Sequence, residues 1–207
     1  VVGSIALSER NFLGKGYDVK INTTASWYNQ SIDASFTNPY MFGLPISGGI
    51  DVYATRTDYQ EESSYDSRAI GFALRTGFRL DEYSTLRFTY GLSYREVDGI
   101  NYASAAPAVI ESEGKTLKSF LGSTYTWDNL DNPNRPSSGF RGQLVGEFAG
   151  IGGDVYFGSI EAHAWYFIPI YEEQVVLKLE GNAGYIHGFN GKTVPLQDRF
   201  YKGGDSF

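Results

Sequence analysis

The sequence has 207 residues, a net charge of −7 and 16% aromatic residues, including 16 Tyr and 14 Phe. Its 17 basic residues are scattered singly, so we expect no nucleic-acid partner, and the absence of cysteine rules out disulfides, thiolate nucleophiles and cysteine metal sites. No apolar run approaches the roughly 18 residues of a membrane helix. No linker rich in Pro, Ser and Gly divides the chain, so we expect a single domain.

Alternation of apolar and polar residues marks the first strands. Residues 1–10 alternate weakly, whereas from Tyr17 to Trp27 the odd positions are mainly apolar and the even positions polar, as in a strand with two different faces. Ten residues at about 3.3 Å each, tilted near 45°, project to about 23 Å, close to the roughly 25 Å apolar band of an outer-membrane barrel. Tyr17 and Trp27 fall where the two aromatic girdles of such a barrel would lie.

The same alternation recurs in eight further segments, which gives ten predicted strands. These segments are 31–36, 50–55, 70–79, 86–95, 117–127, 140–148, 156–166 and 175–185. Aromatic residues near their ends predict membrane-rim positions at Tyr17, Trp27, Tyr94, Trp127, Tyr156, Tyr166 and Tyr185. The opposite face carries the charges expected in a hydrated lumen, among them Arg75, Arg87, Arg95, Arg141, Glu147, Glu161 and Glu180.

The lengths of the connections and strands decide between two β architectures. The long connections after Asp98 and Gly188 fall on one side if strand directions alternate, and outer-membrane barrels place long loops outside the cell. By this parity the first strand begins outside, so we expect an upstream strand beyond this sequence. A soluble two-layer sandwich also shows alternation, but its strands are more often about 5 to 6 residues long, which favours a membrane barrel.

Two polar groupings and one glycine-rich run are candidate sites of chemistry. Ser159, Glu161 and His163 share one strand face, but neighbours two apart on a strand lie about 7 Å apart, too far for a direct proton relay, so we expect no enzyme and no cofactor. The set of Asp128, Asp131 and Asn134 lacks the spacing of a calcium loop, which favours a turn with side-chain hydrogen bonds over a metal site. The run 150–153 is rich in glycine and predicts a flexible hairpin turn.

Four short motifs carry a family resemblance. They are Asn11–Gly16, Phe36–Tyr40 with the following Gly43, Pro45 and Ser47, then Asp131 with Pro136, Ser138 and Gly139, and finally Arg199–Phe207. In order and spacing they resemble the barrel of the BamA family of outer-membrane insertases, in the superfamily that also includes TamA and two-partner-secretion transporters. The match covers nearly the whole chain, but the sequence stops before the arginine of the family's Arg-Gly-Phe loop motif.

This resemblance implies an all-β fold. Residues 1–207 are then part of a transmembrane antiparallel β-barrel of roughly sixteen strands, from the second to the eleventh. POTRA domains, the first strand and the last strands lie outside the sequence. The segment after Gly188 is then most of a sixth extracellular loop that folds back into the lumen, and the residues expected to pack there are Arg199, Phe200, Tyr201, Gly203, Gly204 and Phe207.

The resemblance also implies a function. It is the insertion and assembly of β-barrel proteins into the outer membrane of a Gram-negative bacterium, as the central barrel of an assembly machinery. The expected partners are the lipid bilayer, unfolded outer-membrane protein clients and accessory outer-membrane lipoproteins. The alternatives are a sibling translocase, either TamA-like or a two-partner secretion pore, and a passive porin.

Overall fold

The computed structural model describes residues 2–60, 65–103, 107–110, 112–171, 175–195 and 198–199. Within them, ten antiparallel strands form one sheet, and each strand pairs with its neighbours in the chain. The ten strands predicted from alternation are confirmed. They are β1 Val2–Phe12, β2 Tyr17–Ser26, β3 Asn29–Asn38, β4 Ile46–Asp58, β5 Asp66–Arg79, β6 Ser84–Asp98, β7 Gly114–Asp128, β8 Gly139–Gly153, β9 Phe157–Tyr171 and β10 Val175–Gly188.

Two short helical turns interrupt the connections. A 3₁₀ turn spans Met41–Gly43 and a single α-helical turn spans Pro107–Ile110. Among the described residues, no helix has both the length and the apolar character needed to cross a membrane.

One face of the sheet, here called the outer face, is apolar across its whole width. Register aligns apolar residues strand by strand, because a period of two keeps partners on the same face. One such row is Val19, Phe36, Ile50, Leu74, Tyr90, Leu121 and Phe148. Ile5, Ile32 and Ile70 on this face are half exposed or more. A soluble sandwich would bury such residues between two sheets, so that alternative is wrong.

The strands are longer than their apolar segments. Strands β5 to β9 have 14 or 15 residues, whereas the alternation predicted spans of roughly 9 to 12 residues, enough to cross an apolar band. Backbone pairing continues beyond the apolar residues, as in the pairs of Asp58 with Asp66 and Asp66 with Asp98. Strand β9 even runs through Pro169, where the register to β10 shifts, and a bulge is where a strand tolerates proline.

The connections alternate between two ends of the sheet. The end reached after β2, β4, β6, β8 and β10 is called the long-loop end, because it carries residues 99–113 and the segment after Gly188. The opposite, short-turn end carries the connections 13–16, 39–45, 80–83 and 129–138. In the turn 13–16, Leu13 and Gly14 have positive φ and the Asn11 carboxamide accepts the Gly16 N–H at 2.8 Å. The predicted sidedness of the long connections is confirmed.

Candidate docking site on the inner face

The second face, here called the inner face, is polar and encloses a cavity of about 570 Å³. Its lining includes Tyr53 of β4, Arg95 of β6 and Lys118 of β7, together with Val194 and Asp198 from the segment after β10. Residues from well-separated strands therefore surround one space. The segment after β10 lies across this face.

That segment, residues 189–195 and 198–199, crosses the rim of the sheet. Phe189 packs on the outer side, where its ring stacks on Phe148 at 5.3 Å and meets Tyr156 edge-on at 6.0 Å. Asn190 and Gly191 both have positive φ and turn the chain. The chain thus passes from the outer face to the inner one within a few residues.

On the inner face, Val194 joins a small apolar cluster. The cluster's core is Ala149, Val155 and Phe157, all buried, and Phe120, Ile186 and Val194 pack around it. Phe120 lies over Gly91 of β6, where an added Cβ would come within 2.2 Å of the ring. Strand glycines often leave room for such an aromatic ring, and the contact fixes the register of both strands.

Lys118 is the charged centre of the site. Its ammonium group lies 2.5 Å from an Asp198 carboxylate oxygen and 2.7 Å from Glu147. The side chains of Lys118 and Asp198 are each only 16% exposed. The ammonium group also sits 4.9 Å from the Phe120 ring centre and 4.8 Å from that of Phe157. The charge-assisted hydrogen bond to Asp198 thus holds the returning segment to the wall, while Glu147 and the two aromatic rings hold the Lys118 side chain in place.

A bulge at the end of β8 shapes the strand beside Lys118. Phe120 pairs with Ala149 and Lys118 with Gly153, so the three residues between Ala149 and Gly153 face one residue of β7. Gly153 has φ +94°, and an added Cβ would lie 2.3 Å from the Leu117 carbonyl oxygen. The run 150–153 was predicted to be a hairpin turn, which is wrong: it is the bulged end of a strand, and Asp154 hydrogen-bonds back to the Leu117 N–H at 2.9 Å.

A second segment covers the inner face at the long-loop end. Val109 of the helical turn is buried against Tyr65 and Val97, with Tyr59 and Ile100 around them. Nearby, the Tyr102 hydroxyl donates to both carboxylate oxygens of Glu113 at 2.7 Å, and this hydrogen bond raises the pKa of Tyr102. Val109 and Ile100 therefore cover Val97, which lines the inner cavity.

The predicted lumen charges lie on the inner face, and three of them, Arg75, Arg141 and Glu147, have ion-pair partners on neighbouring strands. Arg75 binds Asp51 with two hydrogen bonds, one at 2.7 Å, and donates to Thr37 at 3.2 Å. Arg141 donates to Asp128 at 2.8 Å and 2.5 Å. The remaining placements are Arg95 in the cavity lining, Arg87 beside Gly77, Glu147 on Lys118, Glu161 at 3.5 Å from His163 and Glu180 at 2.7 Å from Lys178.

The predicted rim aromatics divide between the two ends. Those near the short-turn end are Tyr17, Trp127 and Tyr166, and those near the long-loop end are Trp27, Tyr94, Tyr156 and Tyr185. Trp127 packs between Tyr83 at 6.0 Å and Phe140 at 5.7 Å. Tyr156 lies in the connection before β9 instead of in the strand, and its backbone carbonyl accepts the Phe189 N–H at 3.1 Å.

Both polar groupings named as candidate chemical sites form hydrogen bonds within the structure. His163 bonds Asn182 through Nδ1 at 2.9 Å and has Nε2 3.5 Å from Glu161. Asp131 accepts the backbone N–H of Ser137 at 3.0 Å and of Ser138 at 3.1 Å, as the predicted turn requires. The Ser137 hydroxyl, followed by the Ser138 amide, lowers the pKa of Asp131 to about 2.

Only part of the predicted loop-packing set can be placed. Arg199 donates from Nε to the Val194 carbonyl at 2.9 Å and so closes the turn that carries Asp198. Phe200, Tyr201, Gly203, Gly204 and Phe207 lie outside the described residues.

The sequence did not predict the residues that make most of the contacts between the segment after β10 and the sheet. Neither Lys118 nor Asp198 is among the predicted lumen charges or loop-packing residues. Phe120 and Phe157 occupy inward positions, where alternation predicts polar residues. That exception was the available signal, because an aromatic residue facing a polar lumen must be covered by something.

Comparison with known proteins identifies the sheet. The sequence matches the Omp85 superfamily domain over residues 11–207. It is 31% identical to the outer membrane protein assembly factor BamA of Nitratidesulfovibrio vulgaris, over 96% of this chain and 25% of that protein. It is 26% identical to the BamA of Neisseria meningitidis serogroup B, over 99% of this chain and 27% of that protein. The chain thus spans about a quarter of the length of these curated relatives.

Two further similarities widen the comparison. A SAM50-like protein of Drosophila melanogaster is 27% identical over 72% of this chain and 34% of that protein. The crystal structure of BamA from Haemophilus ducreyi lacking POTRA domains 1–3 matches 99% of this chain and 42% of that chain, with a TM-score of 0.83 and 19% identity. At that identity the match concerns the fold, and it confirms the predicted class, part of an antiparallel β-barrel.

Proposed function

The chain belongs to the Omp85 superfamily, and on that premise we propose that it forms part of the barrel of an outer-membrane insertase. In this role it assembles β-barrel proteins into the outer membrane of a Gram-negative bacterium. It acts by binding clients and perturbing the bilayer, without bond chemistry. Its partners are the lipid bilayer, unfolded outer-membrane proteins and the accessory lipoproteins of an assembly machinery.

The observation that carries the proposal is the covered inner face. Val109 and Ile100 cover Val97, and the segment after β10 is held to the wall by Lys118 and Asp198. A passive porin needs an open, water-filled lumen, so this arrangement favours an insertase over a porin. The exposed apolar outer face supports the membrane location, because lipid is the solvent that such a face requires.

A folding assay tests the proposal. The full-length protein that contains this chain is reconstituted into liposomes, and a urea-denatured outer-membrane barrel is added as client. We expect the client to reach its protease-resistant form faster than in protein-free liposomes. Equal folding rates in both, or a large steady conductance from the reconstituted protein in planar bilayers, would overturn the proposal.

A further inference from the structure

Two arginines face each other on the outer face at the edge of its apolar belt. Arg56 of β4 and Arg68 of β5 are register partners, and both side chains are exposed. Like charges directly opposite each other on one sheet face are destabilising. Within the described parts of the chain, neither arginine has a hydrogen bond or an ion pair. An anionic group from outside the protein would relieve the repulsion within this pair.

The rows around the arginines form an amphipathic groove. The arginine row reads Ala25, Gln30, Arg56, Arg68 and Glu96 across β2 to β6. The next row toward the short-turn end reads Thr23, Ile32, Ala54, Ile70 and Tyr94. Both rows line one groove of about 530 Å³. Small residues form its floor, and larger apolar side chains flank it.

Among the described residues, no acid lies within ion-pair distance of either arginine. Glu96 of β6 is the register partner of Arg68 on one side and of Lys115 of β7 on the other, and its carboxylate lies 3.8 Å from the Lys115 ammonium group. Asp58, Asp66 and Asp98 lie one register step further toward the long-loop end, and Asp58 accepts the Gln60 N–H at 2.9 Å. Arg56, Arg68, Glu96 and Lys115 therefore form the first charged row beyond the apolar rows, and the net charge of that row is positive.

We propose that Arg56 and Arg68 bind the phosphate of an acylated, phosphorylated lipid of the outer leaflet, with an acyl chain in the groove below. Guanidinium groups bind phosphate oxygens in a bidentate manner, and paired arginines suit one phosphate between them. The apolar row begins one step below the arginines, where a lipid chain would run from its headgroup into the bilayer. The site rests on the outer-membrane location of the barrel, and it is separate from the inner-face docking site.

Lipid titration of the purified full-length protein tests the site. The delipidated protein in detergent is titrated with a multiply acylated, phosphorylated glucosamine disaccharide, and binding is followed by thermophoresis. We expect R56Q/R68Q to weaken binding at least about tenfold, since hydrogen bonds to charged groups contribute about 1.5–3 kcal/mol each and tenfold is 1.4 kcal/mol. The control R79Q/R87Q removes the same charge from the inner face and should bind as the wild type does.

Further arms separate the lipid from other sources of anion. The same disaccharide without phosphates should bind as weakly as lipid does to R56Q/R68Q, and millimolar inorganic phosphate should not displace the lipid. If the double variant does not fold, as judged by heat-modifiable migration, R56Q and R68Q alone should each weaken binding severalfold. Any one of four results would overturn the proposal. They are wild-type affinity in the folded arginine variants, equal binding of the dephosphorylated lipid, displacement of the lipid by inorganic phosphate, and an equal loss of binding in the control R79Q/R87Q. Loss of lipid binding with client folding intact would leave the insertase proposal standing.

Discussion

Replacing Lys118 by methionine should release the segment after β10 from the inner face. Methionine keeps a long apolar side chain against the rings of Phe120 and Phe157 but removes the charge that Asp198 and Glu147 share. Of the two charge-assisted hydrogen bonds of Lys118, only the one to Asp198 joins the segment to the wall, since Glu147 belongs to β8 of the wall itself. Such a bond contributes about 1.5–3 kcal/mol, and because the site is partly hydrated we take the lower end, about 1.5 kcal/mol. At 1.36 kcal/mol per decade, the docked population should fall roughly tenfold relative to the undocked one.

Hydrogen–deuterium exchange of the full-length protein in nanodiscs measures this change. Peptides covering residues 189–199 should lose about one order of magnitude of protection in K118M, as the shift in population requires. D198N removes the charge from the other partner of the same hydrogen bond, retains the Lys118–Glu147 pair and should lose a similar amount. K115M is the matched control on the same strand: Lys115 is 65% exposed and pairs with Glu96 at 3.8 Å, so its loss should cost at most about 0.5 kcal/mol. Equal protection in K118M and K115M would refute the reasoning.

Three further predictions concern the turn, the bulge and the apolar cluster. Because folding lowers the pKa of Asp131 from 3.8 to about 2, its stabilisation of the turn 129–138 is complete above pH 3.8 and is lost as pH falls through 2. An NMR titration of the Ser137 and Ser138 amides should show a midpoint near pH 2, and a midpoint near pH 3.8 would contradict this prediction. G153A should reduce the fraction that migrates as a folded barrel, because Gly153 has positive φ and an added Cβ would lie 2.3 Å from a carbonyl oxygen. In the control G158A the added Cβ meets open space, so this variant should migrate as the wild type does, and equal migration of the two variants would contradict the assigned bulge. F120A should destabilise the barrel by about 2–3 kcal/mol in urea titrations, somewhat less than the loss expected for a fully buried phenylalanine. An unchanged urea midpoint would show that the apolar cluster around Phe120 does not stabilise the barrel.

Residue alternation was enough to predict the ten strands, because lipid on one side and water on the other impose a period of two. It predicted the direction in which Tyr17 and Arg75 point for the same reason. It could not predict how far the strands continue, since backbone pairing at Asp58 and Asp66 needs no apolar side chain. The side-chain pattern therefore predicts which segments form strands, but it does not predict how long those strands are.

The docking site was beyond sequence reasoning for a different reason. Lys118 and Asp198 lie 80 residues apart, and only the register of β7 to β10 and the return of the chain over the rim bring them together. The glycines at 150–153 show the same limit, because a turn and a bulge both need positive φ and only the pairing distinguishes them. The partners of individual charges depend on tertiary geometry that no local pattern records.

The proposed function and the proposed lipid site both require that the outer face meets hydrocarbon and the inner face meets water. The sequence has no cysteine, so single cysteines can be introduced along β5 and spin-labelled in the full-length protein in liposomes. Labels at Ile70, Phe72 and Leu74 should collide mainly with oxygen, and labels at Ala69 and Ala73 mainly with a water-soluble nickel chelate. Uniform accessibility along these five positions would contradict the account.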